Sequence, residues 1–129
     1  MKQSSLQTPR ARVKYMGSAR SGTEVSWGMR VSSLALLPLT FTFVVIVAML
    51  AKADLADARA LLGSPIPALL LLLFIIAGVW HMALGLRSVI EDYVSGEHAR
   101  GLALAANSCI ASGIGLACVY AMLRLSFVQ

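Results

Sequence analysis

Charged side chains are scarce in this sequence. Only 13% of its 129 residues are charged, whereas 58% are hydrophobic and the mean hydropathy is +0.78. A soluble domain of this size could not hide so much apolar surface from water, so we expect lipid to surround much of the chain. The 11 basic residues outnumber the 6 acidic ones, but they are concentrated ahead of the first apolar run. There they suit membrane topology and not nucleic-acid binding.

Cysteine is nearly absent, and the two that occur, Cys109 and Cys118, lie in one apolar segment. In a helix they would be about 13.5 Å apart along the axis, which is too far for a disulfide. No Cys-x-x-Cys pair or other metal-ligand spacing is present in the sequence. A disulfide scaffold is therefore excluded, and the cysteines are expected to be small packing residues.

Long apolar runs occur three times, and they are predicted as transmembrane spans at about 31–51, 66–90 and 102–124. Each run is long enough to cross a hydrocarbon layer about 30 Å thick as a helix. An isolated strand would instead leave its backbone groups unpaired in lipid. The sequence therefore predicts an all-α membrane protein with three transmembrane helices.

The chain is predicted to consist of a polar, basic N-terminal segment at 1–29 and a three-helix transmembrane domain at 30–129. Lys and Arg favour the cytoplasmic side of a membrane, so the N-terminus is predicted to be cytoplasmic. The second span then runs from outside to inside. Ser64, directly before Pro65, is typical of the residue that caps the start of a helix.

His81 is an ionisable residue within the second span, which makes it a candidate functional residue because an unpaired polar group is costly in lipid. One interpretation is a neutral imidazole that is hydrogen-bonded to a neighbouring helix. At 100° per residue, Gly85 lies about 40° and Ser88 about 20° from His81 around the helix. The residues lining this face are small: Ala77, Gly78, Gly85 and Ser88. Such a face admits a second helix at close range, or it leaves a slot for a flat ligand such as haem, which needs an axial nitrogen.

Polar residues at the ends of the spans are further candidates. Asp92 is about three turns beyond His81 on the same face, and Tyr93 follows it at the predicted cytoplasmic mouth. Tyr93 is either an aromatic interface anchor or, with the neighbouring carboxylate, a hydrogen-bond donor to a ligand carbonyl. Arg30, at the start of the first span, is either a snorkelling topology anchor or a partner for a ligand carboxylate.

The third span carries a small residue at every fourth position: Gly101, Ala105, Cys109, Gly113, Ala117 and Ala121. This small-residue face predicts a packing surface against other helices and a chain that belongs to a larger bundle. Two local predictions concern single features. Pro38 should kink the first helix, and Arg87 should form an ion pair with Glu91.

The stretch His81-x-x-x-Gly85 followed by Asp92-Tyr93, in "HMALGLRSVIEDY", resembles a known family. It is similar to the small hydrophobic membrane-anchor subunit of bacterial succinate dehydrogenase, the respiratory complex II that also serves the tricarboxylic acid cycle. The upstream "GSARSGTEVSWGMRVSSLALLPL" also resembles the entry of that family to its first helix. The resemblance covers nearly the whole chain from about Gly17.

The resemblance implies a role for each candidate residue. His81 would be an axial ligand of the iron of a b-type haem that is shared with a cytochrome b membrane subunit. Arg30 would lie near the haem propionates, and Tyr93, with Asp92, would form part of the site where ubiquinone is reduced. An iron–sulfur subunit and a flavoprotein subunit would be further partners. The chain would be non-catalytic alone, as a multi-pass anchor in the bacterial inner membrane.

Other interpretations stay open from the sequence. The cytochrome b subunit has a similar pattern that Arg87 also fits, but Ser88 stands where that pattern has a second histidine. A small oligomeric transporter with His81 and Asp92 as an ion relay is a second class, although acidic residues are absent from the span centres. A purely structural helper without a ligand is a third.

Overall fold

The structure is a computed structural model that describes residues 20–127, and every regular element in that part of the chain is a helix. The four helices are Arg20–Leu50 (α1), Leu55–Gly63 (α2), Pro65–Tyr93 (α3) and Glu97–Phe127 (α4). Of these, α1, α3 and α4 are long and apolar enough to cross a membrane. The predicted all-α architecture with three transmembrane helices is therefore confirmed. Most of the predicted segment at 1–29 lies outside the described residues.

The transmembrane helices are longer than the apolar spans predicted for them. α1 begins at Arg20, well ahead of residue 31. Hydropathy locates only the part of a helix that suits hydrocarbon, whereas backbone hydrogen bonds continue the helix into its polar flanks. α3 ends because Val94 has an extended backbone. α1 continues through Pro38, and the kink expected there stays a prediction.

A short helix, α2, occupies the segment that the sequence suggested as a connection between spans. Its N-cap is Asp54, whose carboxylate accepts a hydrogen bond of 2.8 Å from the backbone N–H of Asp57. This bond satisfies one of the amides that a helix start leaves unpaired. Ser64 stands at the N-cap position of α3, as predicted, but its hydroxyl makes no capping bond. The Ser64 Oγ instead donates to the carbonyl of Ala60 at 2.8 Å.

α3 is the central helix, and its contact with α1 rests on one close approach and one aromatic pair. A Cβ added at Gly28 would lie 2.9 Å from Cδ1 of Leu84, so glycine lets the two helices approach closely there. Further along, the rings of Phe43 and Phe74 stack with centroids 4.5 Å apart. These contacts fix the rotation of α1 relative to α3.

The contact between α3 and α4 uses small residues and one buried amide. Gly115 of α4 approaches Val79 of α3, whose Cγ1 would lie 3.3 Å from a Cβ at the glycine. Asn107 donates from Nδ2 to the carbonyl of Ala83 at 2.9 Å. Ala111, one turn after Asn107, is also buried. This face of α4 therefore packs within the chain.

The small-residue face of α4, from Gly101 to Ala121, is exposed along its whole length. A Cβ added at Gly101 or Gly113 would meet no atom within 4 Å. At these two glycines the face is open, because α4 turns Asn107 towards α3, whereas Ala121 at its far end lines a concavity together with Ala56 and Ala60 of α2. The transmembrane segments bury only 6%, 6% and 11% of their most apolar windows in this chain alone. Few of their residues are thus fully buried by the chain itself, and the exposed ones are left for lipid or for other subunits.

Candidate functional site

His81 is half-buried on α3 and faces α1. Its Nδ1 lies 2.9 Å from the hydroxyl oxygen of Ser32, a residue of α1. The same hydroxyl is 2.7 Å from the carbonyl oxygen of Gly28 and 3.1 Å from that of Met29. The imidazole is therefore hydrogen-bonded to the neighbouring helix through one of its two ring nitrogens.

The second ring nitrogen, Nε2, has no hydrogen-bond partner among the described side chains and backbone groups. The two interpretations of His81 from the sequence are consequently compatible. One nitrogen makes the helix–helix hydrogen bond, while the other is unpaired and could bind a metal in the tautomer that leaves it unprotonated.

An open surface lies beside His81. A Cβ added at Gly78 or at Gly85 would meet no atom within 4 Å. Around the helix, these glycines lie about 40–60° from His81 on one side, and Leu84, which contacts α1, lies about 60° away on the other. α1 therefore covers one flank of the histidine and leaves the glycine flank uncovered. This flank is the part of the predicted slot that stays available to a ligand or to another subunit.

Asp92 and Tyr93 are the last two residues of α3, just beyond the end predicted for that span at about residue 90. Both side chains are exposed, Tyr93 to 83%. Neither side chain makes a hydrogen bond or an ion pair with the described residues, so both are free to meet a ligand or a partner chain. Asp92 lies about 16 Å beyond His81 along the helix axis.

Arg30 is exposed on α1 and is not brought together with His81. It precedes Ser32 by two residues, which rotates it about 160° around the helix from the side that faces the histidine. No ion pair joins Arg30 to the described acidic residues. Its role near a haem propionate stays a prediction.

A second concavity, a groove of about 440 Å³, lies between α3 and α4. Trp80, Arg87 and Asn107 are among its lining residues. Trp80 and Arg87 lie about 100–120° around α3 from His81, on the side away from Gly78 and Gly85. The Arg87 Nε is paired with Oε1 of Glu91 at 2.8 Å, which confirms the predicted ion pair. The groove is therefore separate from the His81 site, and the guanidinium of Arg87 that lines it is already paired with a carboxylate.

Sequence reasoning missed Ser32 altogether. Its hydroxyl is 49 residues away from His81 in sequence, and no periodicity relates two different helices. The cysteines are free, as predicted. Among the described residues no group of three or more metal-ligating side chains occurs, so a metal bound at His81 would take its other ligands from elsewhere.

Known proteins resemble this chain over most of its length. Residues 4–115 match the family described as the succinate dehydrogenase/fumarate reductase transmembrane subunit. The chain is also 36% identical over 118 residues to the succinate dehydrogenase hydrophobic membrane anchor subunit of Paracoccus denitrificans. That alignment covers 92% of this chain and 91% of the relative. No solved structure matches the chain.

Proposed function

Because this chain belongs to the succinate dehydrogenase/fumarate reductase transmembrane subunit family, we propose that it is the membrane anchor of a succinate:ubiquinone oxidoreductase. In that complex it docks the succinate-oxidising flavoprotein and iron–sulfur subunits and packs against a cytochrome b membrane subunit. The chain performs no chemistry alone. It supplies residues to a haem site and to a quinone site.

The exposed surface of the helices supports a place in a larger assembly. Few side chains are buried in the described part of the chain, namely Ile46, Leu71, Asn107 and Ala111. The small-residue face of α4 is free and suits a close-packed partner helix. Cytochrome b helices are the proposed partner because they would also close the open flank of His81.

His81 and its open flank fit one side of a haem. The flank has no side chain to obstruct a flat ring at Gly78 or Gly85, and Nε2 is free to bind iron. His81 would hold the haem iron from this chain, and a further residue that holds it would come from the cytochrome b subunit. Haem, when bound, supplies a one-electron redox centre within the membrane. Arg30 is the proposed partner of a propionate, and its long side chain would have to reach around α1.

Tyr93 and Asp92 suit a quinone site at the end of α3. The phenol O–H of Tyr93 can donate to a ubiquinone carbonyl, which orients the ring and favours negative charge on that oxygen. The carboxylate of Asp92 can hold or pass a proton beside it. Their exposure leaves room for the iron–sulfur subunit to complete the pocket and to deliver electrons.

The proposed location is the bacterial inner membrane, with the N-terminus in the cytoplasm. In this orientation Tyr93 lies at the cytoplasmic surface, the side on which succinate is oxidised. The basic residues that favour it mostly precede Arg20 and lie outside the described residues.

One observation carries the proposal: the family match includes a histidine whose Nε2 is free beside an open glycine flank. The test is purification of the tagged chain from membranes, followed by a reduced-minus-oxidised spectrum. We expect co-purification of the three partner subunits and a bis-histidine b-haem band that His81→Ala abolishes. His98→Ala, which changes the other histidine at an exposed position of α4, is the matched control. An unchanged band in His81→Ala contradicts the ligand assignment, and a homo-oligomer without haem favours the ion-relay alternative.

A further inference from the structure

The hydroxyl of Ser32 lies at the centre of three polar contacts, with the carbonyl oxygens of Gly28 and Met29 and with Nδ1 of His81. A serine hydroxyl has a single proton and two lone pairs. The direction of each contact is therefore decided by where that one proton goes.

The two carbonyl oxygens can only accept hydrogen bonds. The contact with Gly28, at 2.7 Å, has the usual length of an O–H···O hydrogen bond. If the hydroxyl proton pointed at the imidazole instead, two oxygen–oxygen contacts of 2.7 and 3.1 Å would be left without a proton between them. Those contacts would be repulsive, so the proton of Ser32 is donated within α1.

The oxygen of Ser32 then faces His81 with a lone pair. A contact of 2.9 Å with Nδ1 is favourable only if that nitrogen carries the hydrogen. A neutral imidazole has one protonated nitrogen, so Nε2 is the bare one. The backbone of α1 thereby sets the tautomer of a side chain on α3.

We propose that Ser32 is a positioning residue for His81. Its hydroxyl oxygen accepts the Nδ1–H of the histidine, which then presents an unprotonated Nε2 to the open flank at Gly78 and Gly85. This inference rests on the proposed haem ligation. Metal-binding histidines are commonly held in this way by an acceptor on the second nitrogen, which fixes the orientation of the ring and raises its basicity. Ser32 does not touch the haem and acts only through the imidazole.

The surroundings preserve this contact. Gly28 permits the close approach of α1 to α3, and Ser32 and His81 are both half-buried in spans that suit lipid. Water therefore competes poorly for the hydroxyl. Ser33, the next residue, makes the same kind of bond to the backbone, from Oγ to the carbonyl of Met29 at 2.7 Å, but it is exposed and does not reach the histidine.

The test compares Ser32→Ala, Ser32→Thr and Ser33→Ala in the purified complex. The readouts are the haem midpoint potential and the electron paramagnetic resonance spectrum of the ferric haem. Ser32→Ala removes the acceptor and lowers the basicity of the ring, so ferric iron loses stabilisation and the potential should rise. Removing a hydrogen-bond partner of a metal-binding histidine changes metal affinity by about tenfold at the least. A tenfold change in the ratio of ferric to ferrous affinity corresponds to about 59 mV in the midpoint potential for one electron. Ser32→Thr keeps the hydroxyl and its backbone bond, so it should resemble the wild type, as should Ser33→Ala.

A second readout does not depend on haem. Nitrogen-15 NMR of histidine-labelled complex, with His81→Ala to assign the signal, reports which ring nitrogen carries the hydrogen. We expect a protonated Nδ1 in the wild type and a change in Ser32→Ala. A complex without His81-dependent haem would refute the proposed haem ligation, yet the NMR result would still decide the role of Ser32. An unaltered potential and tautomer in Ser32→Ala, or an equal change in Ser32→Ala and Ser32→Thr, would overturn the proposal.

Discussion

Asn107 on α4 and Ala83 on α3 are joined by a hydrogen bond of 2.9 Å, from the side-chain amide to the backbone carbonyl. Asn107 is only 7% exposed and is the one buried polar side chain in the part of the chain that the structure describes. An amide that deep in an apolar helix pair has to be satisfied, because leaving it unpaired is costly. This bond therefore sets the rotation of α4 and turns the small-residue face of α4 outward.

The first prediction replaces Asn107 with leucine, which has a similar shape but cannot donate. The loss should be modest, about 0.6–1.7 kcal/mol, since interhelical hydrogen bonds in membranes contribute about that much. It should appear as a lower thermal unfolding midpoint of the complex in detergent. Ser108→Ala, at the exposed neighbouring position, is the control, and an equal midpoint for both variants would contradict the role of the amide.

The second prediction concerns the open flank beside His81. Gly85→Leu should leave the fold of the chain and its membrane insertion intact, because a Cβ added at Gly85 meets no atom within 4 Å. If a haem lies there, the leucine competes for its space and the haem-to-protein ratio should fall severalfold. The ratio is measured from the absorption of the purified complex. Ala48→Leu, at an exposed position near the end of α1, should keep full haem content, and full haem content in Gly85→Leu would place the haem elsewhere.

Helical periodicity was enough to predict the parts of the site that lie on α3. His81, Gly85 and Asp92 share one helix, so a 100° rotation per residue relates them without knowledge of the fold. Ser32 could not be found in this way, because its position beside His81 depends on how α1 rotates and where Gly28 allows it to approach. The same limit explains Arg30, which is near in sequence to Ser32 but lies on the other side of α1.

The rotation of α4 about its own axis could not be predicted from the sequence either. Its regular small residues suggested the packing face, but the face that contacts α3 in this chain is the one that carries Asn107. The hydrogen bond of a buried amide determines which face of α4 packs against α3, and it outweighs the regular spacing of small residues. The small-residue face is left available to another subunit. The short helix α2 did have a signal that was missed, since an aspartate at the N-cap followed three residues later by an acid is typical of a helix start.

The third prediction tests that cap. Asp54→Ala removes the bond to the amide of Asp57 and should destabilise α2 by about 0.5–2 kcal/mol. Hydrogen–deuterium exchange at 55–63 should become faster, while exchange in the centre of α3 should not change. Asp54→Asn keeps an acceptor and should behave like the wild type. Equal protection at 55–63 in Asp54→Ala and in the wild type would show that contacts with α3 and α4 hold α2 without the cap.

The last prediction separates the quinone site from the rest of the complex. Tyr93→Phe removes only the phenol O–H, so binding of partner subunits and haem should persist. Succinate oxidation measured with an artificial electron acceptor should stay near the wild-type rate, because that reaction does not use the quinone site. Reduction of ubiquinone should lose up to about tenfold in kcat/KM, which is the equivalent of one hydrogen bond of about 1.4 kcal/mol. Tyr120→Phe removes the same group from an exposed tyrosine of α4 and should affect neither rate. A parallel fall of both rates in Tyr93→Phe would instead assign Tyr93 to docking of the succinate-oxidising subunits, since a lost contact there lowers electron supply to every acceptor.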